Sequence, residues 1–214
     1  MIVRIIKKPS KIENEIKLKD ESLWCWHGEI PSETCDEIIK SANNNWKYGK
    51  VGGRKWGFAD NGKVNKEVRS TDVYFSNDEW IYDLLEPYMI LANKNAGWNY
   101  DISGIESYQI GRYTAKDSGH YDWHQDGLGG WKNIYNKPLN VHLHNKTRKL
   151  SMSLILNDPS EYEGGQLEIW GNKVGVYKKG SIIFFPSWML HRVTQVTKGT
   201  RYSLVMWFLG APFK

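Results

Sequence analysis

From Gly104 onward the chain breaks into short runs of strand-forming residues, and this half constrains the fold most. The runs lie near 105–112, 119–125, 148–156, 165–170, 181–185, 190–197 and 201–209, separated by turn clusters such as NDPSEYEGG and TKGT. The first hundred residues read differently. After Pro31, SETCDEIIKSA opens on Ser32 as a capping residue and sets Cys35, Ile38, Ile39 and Ala42 at helical spacing. A second helix is expected to start near Ser76 or Asn77, with Trp80, Ile81, Leu84, Leu85, Tyr88 and Leu91 on one stripe, and Pro87 should kink or break it. Between the helices lie a glycine-rich basic loop, 47–66, and an extended stretch from Val68 to Phe75. Helices followed by many short strands predict an α+β, mainly β chain: a two-sheet jelly roll with the N-terminal helices packed on its outer face. No repeat or linker marks a boundary, so 1–214 is expected to form a single domain, with 1–100 as helical support and 101–214 as the β core.

Several classes are disfavoured by composition. No apolar run approaches the roughly 18 residues of a membrane span, and MIVRIIKKPS lacks a signal-peptide core, so a cytoplasmic location and no membrane partner are expected. Cys25 and Cys35 match no metal or disulfide pattern and are expected to be free, buried thiols. The net charge of +5 is local: Lys47, Lys50, Arg54, Lys55, Lys63 and Lys66 face one acid, Asp60, within 47–66, and the remainder is balanced.

The chemistry-bearing residues fall in the β half. YDWHQDGLGG holds His124 and Asp126, and FFPSWMLHR holds His191. Two imidazoles and one carboxylate on one face suit a non-haem Fe(II) centre, because three protein ligands leave coordination positions open. At i and i+2 of an extended strand, His124 and Asp126 would point the same way. H-x-D alone is weak. His142 and His144 share that spacing and read as a solvated or partner-bonded pair, while His27 and His120 read as structural or exposed. Weight comes from Arg201, ten residues after His191 and beyond a turn at Lys198 and Gly199. If strands 190–197 and 201–209 pair as a hairpin, His191, Val193 and Gln195 share a face with Arg201, Ser203, Val205 and Trp207. A guanidinium held inside the barrel calls for an anion, and a dicarboxylate joining metal to Arg201 meets that need. The alternative is an arginine that simply flanks a turn in solvent.

The order Tyr113, Tyr121, His124-Gln125-Asp126, RKLSMSLILND, EGGQLEIW, GSIIFFPSWMLH and Arg201 resembles the 2-oxoglutarate and Fe(II)-dependent oxygenases, in particular their prolyl 4-hydroxylase-like branch. The resemblance covers roughly 68–210. It implies a double-stranded β-helix, also the fold of cupins, with His124, Asp126 and His191 as iron ligands and Arg201 on the distal carboxylate of 2-oxoglutarate. It further implies that Tyr113 donates a hydroxyl to that carboxylate, with Tyr108 as the alternative because the Tyr113–His124 spacing runs about two residues long. Leu167 and Val193 would line the cosubstrate pocket, and Tyr121 and Trp207 the substrate side. Dioxygen would be the oxidant and ascorbate the reductant.

The 47–66 loop, with Trp46, Arg54, Trp56 and Phe58 as anchors, resembles the lid that closes over peptides in that branch; a solvated loop without a role is the bland reading. Its cations could favour an acidic peptide, a ribosome-associated target or nucleic acid. Trp207 stands where a second Arg would favour a nucleobase demethylase. Three functions remain open: a peptidyl-prolyl hydroxylase, a hydroxylase of a free amino acid, other small molecule or nucleobase, and a non-enzymatic cupin-like binding module.

Overall fold

The computed structural model describes residues 22–43, 45–51, 63–127, 134, 143–172, 175 and 177–213. Arg54, Trp56, Phe58 and His142 lie outside the described residues, as do Lys55 and Asp60 of the basic loop. The elements follow in the order β1 (Trp24–Trp26), α1 (Ser32–Ser41), β2 (Lys47–Tyr48), β3 (Arg69–Ser70), β4 (Asp72–Ser76), α2 (Glu79–Asn95), β5 (Gly104–Ile105) and β6 (Tyr108–Thr114). They continue with β7 (His120–His124), β8 (Thr147–Ile155), β9 (Tyr162–Gly164), β10 (Leu167–Ile169), β11 (Ile182–Pro186), β12 (His191–Val193) and β13 (Val196–Gly210). Among the described residues, no helix is long and apolar enough to cross a membrane.

Two antiparallel sheets carry the architecture. The larger runs β1-β11-β8-β13-β6-β4-β2, with β5 and β9 also on β13, and the smaller runs β10-β12-β7-β3. Alternation along β8 sorts its side chains: Leu150, Met152 and Leu154 face the helices, whereas Ser151, Ser153 and Ile155 face the smaller sheet. Cys35 and Ile38 of α1, Ala42 at its C-terminal cap, and Ile81, Leu85, Met89 and Ala92 of α2 are buried with Leu150, Met152, Leu204 and Phe208 in one core. The helices therefore back the larger sheet and leave its other face for the site. Cys25 and Cys35 are free and buried, and burial pushes their thiols up to about 12 and about 11.

Four local expectations need correction. Ser32 is the first residue of α1 and makes no capping bond; Pro31 occupies the cap position. α2 begins at Glu79 behind Asp78, later than Ser76 or Asn77. Of the two effects expected of Pro87, the break does not occur, because it lies inside α2. An interior proline costs about 3 kcal/mol, whereas each buried large apolar side chain contributes about 1.5–3 kcal/mol, so the face formed by Ile81, Leu85, Met89 and their neighbours outweighs it.

The fourth concerns the hairpin. β12 pairs with β10 and β7, while β13 pairs with β6, β8 and β9, so the residues expected to form a two-stranded unit belong to opposite sheets. The chain crosses between sheets at Thr194 and Gln195, and Gly199 (φ 69°) lies inside β13 rather than in a hairpin loop. Gly164, with φ 74°, lies against this crossing, and a Cβ there would collide with the carbonyl oxygen of Gln195. Gly164→Ala is therefore expected to destabilise the protein by about 2 kcal/mol or more in denaturant titration, whereas Gly171→Ala, at a φ of 83° but with open space around it, should cost less.

Candidate metal and cosubstrate site

His124 ends β7 and His191 begins β12, and the two are direct cross-strand partners. Asp126 lies just past the strand in a tight turn, so its approach comes from the turn and not from strand alternation. The turn is pinned on both sides. The Gly127 amide donates to the Ser187 carbonyl at 2.9 Å, and the Gln125 side-chain amide donates to the Trp188 carbonyl. Gly127 is required at close quarters, since a Cβ there would sit 2.9 Å from the Arg148 carbonyl oxygen.

His124, Asp126 and His191 each present a donor atom, all within 4.8 Å of one another. His124 Nδ1 lies 2.8 Å from the Asp122 carbonyl and His191 Nδ1 lies 2.9 Å from that of Met189. A carbonyl only accepts, so each Nδ1 carries a proton and each ring turns its Nε2 inward. These Nε2 atoms stand 3.8 and 3.4 Å from the Asp126 carboxylate. Burial, reinforced by neighbouring His191, lowers the His124 pKa to about 3, which keeps the ring neutral. Burial works against ionising Asp126, but His191, His124, Arg148 and the Ser151 hydroxyl outweigh it and hold the carboxyl at about 2. Two imidazole nitrogens and one carboxylate, each oriented by a further hydrogen bond, fit a divalent transition metal.

Arg201 reaches the same interior from the opposite sheet. It is 1% exposed, and its guanidinium donates to Ser203 Oγ at 3.0 Å. Among the described residues no carboxylate lies within ion-pair distance of it. A buried cation without a counter-ion is costly, so the site is built to receive an anion. Arg201 borders a cavity of about 140 Å³, together with Leu167, Ile155, Tyr162, Gln166 and Tyr177. Val193 is the cross-strand partner of Leu167, and Tyr113 that of Arg201, whose Cζ stands 5.2 Å from the tyrosine ring centre.

Tyr108 is displaced from this group. It is buried on the helix side, where its hydroxyl bonds Asp78. Tyr108→Phe should therefore cost about 1–3 kcal/mol of stability, read by chemical denaturation.

Tyr121 stacks on His124 at 3.5 Å between ring centres, with the Arg69 guanidinium 4.5 Å from the tyrosine ring centre. Trp207 lies beneath Arg148, whose Cζ is 4.0 Å from a ring centre. Arg148 forks onto Glu106 at 2.7 and 2.6 Å and approaches Asp126 at 3.9 Å. Ser151 Oγ donates to Asp126 at 2.7 Å. Ser151, Arg148, Glu106 and Arg69 were not singled out in the sequence. The alternation Leu150-Ser151-Met152-Ser153-Leu154 carried a signal for Ser151, because a hydroxyl row facing a barrel interior needs polar partners. His144 has no part in the donor group, and His120 is tied to the Ser118 and Glu67 carbonyls.

Two facing sheets, with His124 and His191 on one and a buried arginine that no described carboxylate pairs with on the other, make up a double-stranded β-helix. Residues 108–209 match the family described as the 2OG-Fe(II) oxygenase superfamily. A stretch of 61 residues is 51% identical to a PKHD-type hydroxylase of Picosynechococcus sp., covering 27% of this chain and 28% of that protein. Over a stretch of the same length the chain is 41% identical to a PKHD-type hydroxylase of Teredinibacter turnerae, covering 27% of each. The matched stretch thus spans little more than a quarter of these relatives. The fold is similar to a viral collagen prolyl hydroxylase from Paramecium Bursaria Chlorella virus-1 in its 2OG complex (TM-score 0.62, 18% identity, 89% of this chain and 97% of that one). It is also similar to a prolyl hydroxylase from Trichoplax adhaerens in complex with a hypoxia inducible factor oxygen degradation domain peptide fragment (TM-score 0.63, 19% identity, 89% and 84%).

Proposed function

We propose that the protein is a 2-oxoglutarate- and Fe(II)-dependent dioxygenase that hydroxylates a C–H bond, with a prolyl residue of a peptide or protein as substrate. The observation that carries this reading is the convergence of the His124, Asp126 and His191 donors opposite a buried guanidinium that has no counter-ion. His124, Asp126 and His191 hold the iron. Arg201, with Tyr113, takes the distal carboxylate of 2-oxoglutarate, and Leu167 and Val193 form the apolar wall of its pocket. When bound, Fe(II), 2-oxoglutarate and dioxygen supply the oxidation, with succinate and carbon dioxide as coproducts and ascorbate maintaining the ferrous state.

The residues of the chain contribute orientation and water exclusion. The Nδ1 bonds of both histidines fix their rings, and Ser151 fixes the carboxylate of Asp126. The fork of Arg201 sets the direction of the dicarboxylate across the barrel. Tyr121 and Trp207 form aromatic walls beside the donors, where the substrate residue enters. The prolyl-peptide assignment draws on the PKHD-type and prolyl hydroxylase likenesses.

The test supplies Fe(II), 2-oxoglutarate and ascorbate in air, quantifies succinate, and searches proline-containing peptides by mass for one added oxygen. Succinate formation coupled to oxygen gain is expected. Absence of 2-oxoglutarate consumption with every substrate would refute the dioxygenase reading, and oxidation of free amino acids alone would refute the peptide one.

A further inference from the structure

The face of the larger sheet that carries Ser151 and Trp207 continues outward past the donors. Ser153 on β8, Val205 on β13, Gln109 on β6 and Phe75 on β4 stand in register as one row across four strands. Alternation fixes the side on which Phe75 lies: Tyr74 packs with the helix-backed core, so Phe75 faces the other way, with Gln109 and Val205. Gln109 is buried and accepts a bond from Arg69 at 3.2 Å, which makes the middle of the row rigid. Phe75 is 53% exposed. A single exposed aromatic is ordinary on a protein surface; this one ends a row that begins beside the residue bonded to Asp126. One strand further out, exposed Lys47 on β2 stands opposite Val73 on the same face and makes the rim cationic.

We infer that Phe75 is a specificity-determining residue that receives an apolar side chain of the substrate about four residues from the one oxidised, a spacing set by strand geometry. The inference rests on the peptide reading above. From β8, where Ser151 holds Asp126, to β4 is three strand spacings, about 14 Å, and an extended peptide covers that in about four residues at about 3.3 Å each. A free amino acid at the donors does not reach Phe75; a chain crossing the strands does. Lys47 then favours an acidic residue next outward over a basic one.

Fluorescein-labelled peptides with one proline, and Leu or Ala four residues from it on each side in turn, test this. Binding is read by anisotropy without metal or cosubstrate, and KM by oxygen gain. With Leu on the correct side, binding should be about tenfold tighter than with Ala. Phe75→Ala should bring the two peptides within about twofold, and Phe75→Leu, which keeps an apolar side chain, should retain most of the preference. Equal binding of Leu and Ala peptides by the native protein, or a preference that survives Phe75→Ala, overturns the role of Phe75 while peptide hydroxylation stands. If no proline peptide gains oxygen although free amino acids do, the peptide reading fails and takes this inference with it.

Discussion

Replacing Arg201 by Met is expected to weaken 2-oxoglutarate binding about a hundredfold or more while leaving the fold at least as stable as before. Both halves follow from one fact. The guanidinium is 1% exposed, its hydrogen bond goes to a hydroxyl, and no carboxylate among the described residues pairs with it. In the free protein it is a desolvated charge, and an apolar side chain of similar volume removes that cost. In the proposed complex it is one half of a buried ion pair, and losing either half of such a pair costs about 3–5 kcal/mol. Arg201→Lys keeps the charge without the planar fork and should fall between, about tenfold weaker than Arg. Thermal melting of the free protein and direct titration with 2-oxoglutarate measure the two effects separately. A variant that melts lower and binds the dicarboxylate as before would make Arg201 a packing residue.

The donors and Arg201 were legible in the sequence because their chemistry restricts residue type: few roles other than metal binding use two imidazoles and a carboxylate in this order. The geometry that joins them was less legible. The spacing from His191 to Arg201 suggested a hairpin, but the same ten residues contain a crossing from one sheet to the other, and the crossing sets the two groups face to face. Both arrangements place Arg201 inside the barrel and not in solvent. Asp126 behaves similarly: i+2 spacing after His124 is compatible with a strand, yet the residue turns inward through a bend held by Ser187 and Trp188. Tyr108 and Tyr113 could not be separated by spacing, but the pleat of β6 puts positions five apart on opposite faces, with Tyr108 on the helix side and Tyr113 beside Arg201. Pro87 illustrates the reverse limit. Its local cost is visible in the sequence, whereas the burial that offsets it exists only once α2 rests on the sheet.

Asp126→Asn tests the metal centre more sharply than removal of either histidine, because it preserves shape and changes only the anionic donor. Fe(II) binding is expected to fall by more than about a hundredfold, beyond the about 10- to 100-fold range of changes one shell further out. Ser151→Ala belongs to that outer class: the hydroxyl orients the carboxylate at 2.7 Å without supplying a donor, so about a tenfold loss is expected. In the Asp126→Asn background Ser151→Ala should add little, since the carboxylate it orients is gone. The metal-free proteins supply an independent check through pH. The Asp126 carboxyl is held at about 2 in the fold, below its ordinary value of 3.8, so its ionised form stabilises the native state above that value, and this contribution is lost as pH falls towards 2. Melting temperature should therefore drop more steeply between about pH 4 and pH 2 in the native protein than in Asp126→Asn. Anaerobic Fe(II) titration and acid-range melting curves read the two properties on the same samples. An Asp126→Asn protein that binds Fe(II) as tightly as the parent would remove the carboxylate from the metal centre and leave a two-histidine site too weak to support the proposed chemistry.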